Sequence, residues 1–328
     1  GITPLDLKEI CAESMLFYWL GELLQDVFGP FRLLRSHLFL GALGTMICWL
    51  ATFYLLPKLS KLLPRDRGRA FAVDSKAAEG KPTGAGVIFI SIFTVVNLLF
   101  LPLDFQSGAV LVLCFIAMLT GWFDDKSMNP WGEYRKAALD LFLAVGTAWV
   151  LCGGGATEIW FPFTKATLEL PALVFVPLGA ILIWTCINST NCTDGVDGLS
   201  GTLITIALVN LAGLLYFVLG HKDIAGYLLL PHIAEGASWG IMAASMVGVL
   251  VGYLWFNAHP SQMLMGDAGS RALGFLLGVL VIKTGNPFIV FIVSGVLLVN
   301  GGTGLLKVAL LRFAKISIFE SVRFPLHD

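Results

Sequence analysis

An all-α, polytopic membrane protein is the fold class this sequence predicts, and three observations predict it. The chain is 57% hydrophobic and only 13% charged, where soluble domains carry about a quarter charged residues. Its mean hydropathy is +0.83. Segments 37–57, 84–103, 105–123, 198–220, 236–258 and 286–306 contain no Asp, Glu, Lys or Arg, and each is near the ~20 residues that cross a hydrocarbon core.

Taken in order, residues 1–36 form an N-terminal segment. Its apolar stretch 11–33 is interrupted by Glu13, Glu22, Asp26 and Arg32, the pattern of an amphipathic helix lying on the outer face, with a further span as the alternative. Residues 37–328 make one transmembrane domain. Besides the six charge-free runs, 137–157 and 170–190 fit as spans with at most one charge, Asp140, and the shorter 268–285 carries Arg271 and Lys283 near its ends. About nine spans are expected. Nothing near the start has the form of a cleavable signal peptide, because the first strong apolar run begins near residue 37.

Basic residues fall in alternate loops. Loop 58–83 has seven and loop 124–136 has three, whereas the opposite set of loops has three in total. The positive-inside rule therefore places 58–83, 124–136, 188–197, 259–271 and 312–328 in the cytoplasm. The cysteines form no CxxC pair and the histidines no HxxxH or HxH spacing, which argues against a disulfide framework or a zinc site.

Polar residues are costly in such a chain, so their placement carries the functional signal. Asp124 and Asp125 stand where a span leaves the membrane. Asn188, Asn191, Asp194 and Asp197 crowd a glycine-rich stretch with Gly195, Gly198 and Gly201, and Asp267 precedes another span. Each group alone could be a solvated helix end or a helix cap. All three, however, lie on one side of the membrane, and converging carboxylates repel unless a cation sits among them. Oxygen ligands without His or Cys favour Mg²⁺, which also binds substrate phosphates. Lys76, Lys81, Lys126, Arg135 and Lys136 supply positive charge suited to phosphate, besides holding their loops inside. The stretch 79–86, EGKPTGAG, is glycine-rich ahead of a helix and could meet an anion, although it is no P-loop. Lys307 lies within the last apolar run, where it is either functional or able to snorkel.

These motifs resemble those of the polyprenyl-phosphate N-acetylhexosamine-1-phosphate transferases, and among them the phospho-N-acetylmuramoyl-pentapeptide transferases. The resemblance runs in order over 37–328. It rests on Gly80–Gly86, on the Asp124–Asp125 pair, on NCTDGVDGL at 191–199 and on PSQMLMGDAGS at 260–270, with FNAHP before the last and RFPLHD at the end. It implies ten spans, so a further helix is expected beyond Asp328. It also implies Mg²⁺-dependent transfer of phospho-MurNAc-pentapeptide from UDP-MurNAc-pentapeptide to undecaprenyl phosphate in the bacterial plasma membrane, with the site facing the cytoplasm. The implied partners are these two substrates and the bilayer. A homodimer is compatible, and no nucleic acid is expected.

The resemblance further implies the site. Asp267 and Asp194 are expected to hold the metal and Asp124, with Asp125, to activate the lipid phosphate; these four are the expected catalytic set. Asn191, Gly195, Asp197 and Leu264 are expected near the nucleoside, Lys136 and His327 near phosphate or sugar, and Lys81, Thr83, Asn188 and Lys307 elsewhere on the substrates. Whether an aspartate acts as a base or a covalent nucleophile stays open. Departures from the pattern concern the substrate: Leu264 replaces an aromatic residue, Lys126 follows Asp125 at once, and the loop to Lys136 is short. That short loop makes a sibling transferase using UDP-GlcNAc the alternative enzyme. A secondary transporter is the alternative of another class, and Lys307 behind Gly301, Gly302 and Gly304 is the feature that suits it.

Overall fold

The computed structural model describes residues 20–309 apart from 22, 27–28, 67–78, 102, 130 and 162–165. The N-terminal segment before residue 20, Lys76, His327 and the loop 312–328 lie outside the described residues. Of the expected amphipathic stretch, Gly29–Arg35 forms a 3-10 helix.

The described chain is a helical bundle. Its main helices are α1 (His37–Leu59), α2 (Gly86–Phe100), α3 (Phe105–Lys126), α4 (Glu133–Cys152), α5 (Ala172–Thr193), α6 (Leu199–Gly213, continued by a π-helical turn over Leu214–Leu219), α7 (Gly236–Asn257), α8 (Gly266–Lys283) and α9 (Gly295–Ala309). A two-stranded antiparallel hairpin, β1 (Thr157–Trp160) and β2 (Thr167–Leu170), joins α4 to α5. Local chemistry sets several ends. Ser36 accepts the Phe39 N–H to start α1, Asp104 and Ser107 form a reciprocal capping box on α3, and Gly153 ends α4 in the left-handed region.

Among the described residues, five helical segments are long and apolar enough to cross a membrane: His37–Leu62, Phe105–Lys126, Ala172–Thr193, Leu199–Leu219 and Gly236–Asn257. This is fewer than the nine expected. The other four positions are helical but fall short for identifiable reasons. Helices α2 and α9 are apolar but short, and the run 286–306 is split at Ser294 into Ile289–Val293 and α9. Helix α4 carries Glu133, Arg135, Lys136 and Asp140, and α8 carries Asp267, Arg271 and Lys283. Several expected loops also shorten. Asn188 and Asn191 belong to α5, and Asp267 and Arg271 to α8, rather than to connecting segments.

Helix α8 is the axis of the bundle. Every residue from Gly266 to Val281 is buried, enclosed by α2, α3, α5 and α6. A helix buried on all faces ordinarily lacks charge, so Asp267 and Arg271 require partners from its neighbours. Close approach makes this possible. A side-chain carbon at Gly121 of α3 would lie 2.3 Å from the Asp267 carbonyl oxygen, so only glycine lets α3 press against the start of α8.

Candidate active site

The start of α8 is held by a side chain from another helix. Both Asp125 carboxylate oxygens accept backbone N–H groups, from Asp267 and from Ala268, each at 3.0 Å. Asp125 thus caps α8 across the bundle and satisfies donors that a helix start leaves unpaired. Gly266 takes φ +68°, and a side chain there would collide with the Asp125 carboxylate. Asp267 is therefore not a cap for its own helix; its side chain is left available for other contacts.

Those contacts bring three helices together. Lys136, from the first turn of α4, forms ion pairs with Asp124 of α3 and with Asp267 Oδ2, the latter at 2.8 Å. Both carboxylates are almost fully buried, while the lysine is about a quarter exposed. Asp124 Oδ1 also accepts the Trp131 N–H at 2.6 Å, and Arg135 stacks over the Trp131 ring. On the opposite side, the Asn191 side-chain amide donates to Asp267 Oδ1 at 3.1 Å and to Ser270 Oγ at 3.0 Å. The ammonium is thus held between two carboxylates. Asp124 is no solvated helix end, as its motif alone would have allowed.

A second cluster lies beside the first. Asp197 accepts the Ser261 hydroxyl at 2.6 Å and the Ser261 N–H at 3.0 Å. Lys81 donates to Ser261 Oγ at 2.8 Å and lies 3.5 Å from Asp197, as does His259 Nδ1. Partial burial works to raise the Asp197 pKa, but the Ser261 hydrogen bonds and Lys81 outweigh it and hold the carboxyl below its usual range. Asn257, buried at the end of α7, ties this cluster to its surroundings. It accepts the Gly198 N–H at 3.1 Å and donates to the Met263 carbonyl at 2.9 Å.

Of the residues expected at the site, Asp124, Asp125, Asp267, Asn191 and Lys136 converge on the start of α8, and Lys81 and Asp197 meet in the neighbouring cluster. Asp194 ends α5, its N–H bonded to Thr190 and Asn191 carbonyls, with Gly195 exposed after it. Helix α6 starts instead on Gly198 without a side-chain cap, so neither Thr193 nor Asp194 caps it. Leu264 pairs through its backbone with Pro82 and Ala85, and the buried Thr83 donates its N–H to Pro64. The Asn188 amide turns back on its own helix, to the Trp184 carbonyl. Lys307 is in α9, but its side chain lies outside the described residues.

The glycine-rich start of α2 does not offer the anion site its sequence suggested. Its first N–H groups are already used, Ala85 donating to Leu264, Gly86 to Met265, Val87 to Gly84 and Ile88 to Ala85. Among the residues that sequence reasoning missed, Ser261 and Asn257 were visible as polar positions within PSQMLMGD and FNAHP. Trp131 carried no signal, because what it gives Asp124 is its backbone N–H. Among the described residues, no three His, Cys, Asp or Glu side chains stand close enough to hold a metal by themselves. The paired oxygens of Asp124 and Asp267, aimed at one cationic group, nevertheless suit a hard cation, since Mg²⁺ takes only one or two carboxylates where substrate phosphates and waters complete its shell.

Residues 107–285, which include the whole of this site except Lys81, match the model for glycosyl transferase family 4. The chain is 50% identical over 305 residues to a phospho-N-acetylmuramoyl-pentapeptide-transferase of Treponema pallidum, covering 92% of this chain and 84% of that protein. Proteins of the same name from Desulfotalea psychrophila and Aquifex aeolicus are each 30% identical, over 92% and 86% of this chain and 87% and 82% of their own lengths. The chain belongs to glycosyl transferase family 4 and, within it, to the phospho-N-acetylmuramoyl-pentapeptide transferases.

Proposed function

We propose that phosphate transfer takes place where Lys136 bridges Asp124 and Asp267. The reaction follows from family membership: the chain transfers phospho-MurNAc-pentapeptide from UDP-MurNAc-pentapeptide to undecaprenyl phosphate, giving lipid I and UMP. It is a multi-pass enzyme of the bacterial plasma membrane. The kinship also favours the pentapeptide nucleotide over UDP-GlcNAc, and an enzyme over a transporter, whose ionisable groups would lie nearer the bilayer midplane.

The chemistry explains the arrangement. An anionic lipid phosphate must attack an anionic pyrophosphate, so repulsion has to be screened and the leaving phosphate stabilised. Asp267 and Asp124 are the residues that would hold Mg²⁺, with Asp194 in support. When bound, the metal supplies Lewis-acid stabilisation of charge on the transferring phosphoryl group. Lys136 holds the two carboxylates together in its absence and adds positive charge beside the phosphates when they arrive. Asp124 orients and activates the lipid phosphate, while Asp125 fixes the start of α8 so that Asp267 points correctly. Asn191 sets the rotation of the Asp267 carboxylate. Asp197, Lys81 and the 259–264 loop form the wall on which the nucleoside rests, and Asn188, Thr83, Gly195, Leu264, Lys307 and His327 complete the substrate surface.

We further read all nine helical positions as crossing the membrane. Helices α4 and α8 tolerate their charges because these are paired inside the bundle, and the tertiary packing, not lipid, surrounds α8. The active site then faces the cytoplasm, where the soluble nucleotide and the lipid phosphate can both reach it. A second copy of the chain is a compatible partner.

The observation that carries this reading is the Lys136 bridge between Asp124 and Asp267. Its test is UMP release by purified protein given undecaprenyl phosphate, Mg²⁺ and either UDP-MurNAc-pentapeptide or UDP-GlcNAc. Release with the pentapeptide nucleotide alone is expected; release only with UDP-GlcNAc would reassign the substrate.

A further inference from the structure

One turn deeper into the bundle than the Lys136–Asp267 pair lies a second pair that the reaction does not use. Arg271 of α8 donates from Nε to Asp140 Oδ1 of α4 at 2.9 Å and forms an ion pair with the same oxygen through Nη2. Both side chains are almost completely buried, 1% and 4% exposed. A buried pair of this kind adds little stability over well-packed apolar residues of similar volume, so its stability contribution does not explain its presence.

Its register does. Lys136 and Asp140 are four residues apart on α4, and Asp267 and Arg271 are four apart on α8; both interhelical pairs span 131 residues of sequence. The two rungs carry opposite polarity. On α4 the order is cation then anion, and on α8 it is anion then cation. A slip of one helical turn would therefore set Asp140 against Asp267, or Lys136 against Arg271, like charge against like. Only the observed register matches every charge. The Trp184 indole of α5, donating to the Ala137 carbonyl at 3.1 Å, holds the stretch between the two rungs.

The spacing also creates a competition. Residues four apart on a helix are within reach of one another, so Asp140 is a natural partner for Lys136. Arg271 competes for that partner by holding Asp140 Oδ1 with two donors. We propose that the Asp140–Arg271 pair is a positioning device: it fixes α4 against α8 and reserves Lys136 for Asp124 and Asp267. This rests on the reading of Lys136 and Asp267 as site residues, and neither Asp140 nor Arg271 touches substrate in it.

The test compares R271M, D140L and the double variant D140L/R271M, with K136M as a control. Turnover of UDP-MurNAc-pentapeptide is measured per folded enzyme and thermal unfolding is followed in detergent. In R271M the orphaned Asp140 draws Lys136 away, and kcat falls by roughly 10- to 100-fold, the scale of a misplacement near 1 Å. The KM for the nucleotide stays within about twofold, because ground-state binding is not what is lost. D140L releases Arg271 toward Asp267 with the same direction of effect. The double variant removes both competitors and recovers kcat to within about threefold of wild type, the non-additivity of coupled sites.

Two results would overturn the proposal. One is R271M and D140L destabilised but with unchanged kcat, which would make the pair structural only. The other is a double variant as slow as the single ones. If neither R271M nor D140L folds, the milder D140N and its partner D140N/R271Q carry the same comparison with the same two deciding results. Near-normal turnover in K136M would instead defeat the underlying site reading, and so the two failures are distinguishable.

Discussion

Helices α3, α4 and α8 are joined at both ends, but by different chemistry. At the inner end, where α8 starts, Asp124, Lys136 and Asp267 meet as ions, with Asp140 and Arg271 one turn deeper. At the outer end, where α8 stops, Lys283 of α8 donates to the Gln106 side chain of α3 at 2.8 Å and lies over the Trp239 ring. Gln106 in turn donates to the last carbonyls of α4, Val150 and Leu151. The hairpin closes this end, with the Trp160 indole on the Thr284 carbonyl at 2.8 Å. The direct contacts of the one cation at the outer junction are thus neutral groups, the Gln106 amide oxygen and the Trp239 ring. The inner junction concentrates opposing charge where one ion can replace another. Fixing three helices in a membrane requires no carboxylates; an acidic cluster held around one lysine suits the cation and phosphate binding proposed for it.

The largest effect should come from the inner junction. Asp267→Asn keeps the shape of the side chain but removes its charge, and transfer should fall by on the order of 10²–10³-fold, as when a preorganised electrostatic group is lost. Expression and the helical circular dichroism signal should be retained. Near-normal turnover in this variant would end the metal assignment.

Gly121→Ala should have an intermediate effect on the same end. The added methyl meets the Asp267 carbonyl and the Ala268 nitrogen, which are backbone atoms and cannot rotate away. Overpacking of this kind costs about 1–3 kcal/mol, and because it displaces α8 at Asp267, kcat should fall along with stability. A lower Tm with unaltered kcat would show that the start of α8 tolerates movement.

At the outer end, Lys283→Met should matter least among the substitutions. It leaves the Gln106 oxygen without its donor, a loss of about 1 kcal/mol, with turnover at the wild-type level. A large fall in kcat would mean that the two ends are coupled and would break the contrast drawn between them.

The smallest expected effect is that of pH. The lowered Asp197 pKa means that its contribution is complete above the ordinary carboxylate range and is lost as pH falls through the lowered value. Around neutrality Asp197 keeps its charge. Rate profiles of wild type and of an Asp197→Asn variant should therefore have the same shape between mildly acidic and mildly alkaline pH, and a new titration in the variant within that range would contradict this.

Much of the inner end was legible because its signals are local. Asp124–Asp125, NCTDGVDGL and PSQMLMGDAGS each pack several polar residues into a few positions beside an apolar run. The division of labour within them was not legible. Adjacent Asp124 and Asp125 look equivalent in sequence, yet one faces Lys136 while the other caps α8, because consecutive helical side chains point about 100° apart. Asp140 and Arg271 appear singly as charges that weaken two predicted spans, and Asn188 looks like Asn191 but folds back on its own helix.

The sequence alone determined that this chain is a helical membrane protein and that its acidic motifs stand at the ends of separate apolar runs. Those properties follow from composition and from runs along the chain, since lipid selects for apolar length. The tertiary structure decided which carboxylate meets which cation, why α8 can be charged and still buried, and that the start of α2 is already occupied by backbone hydrogen bonds. Most of these depend on groups far apart in the chain, 131 residues for Lys136–Asp267, or on carbonyls supplied by another segment, as for Gly86 and Met265. Pairings of that range leave no pattern along a sequence, because the energy that selects them arises only once the helices have packed.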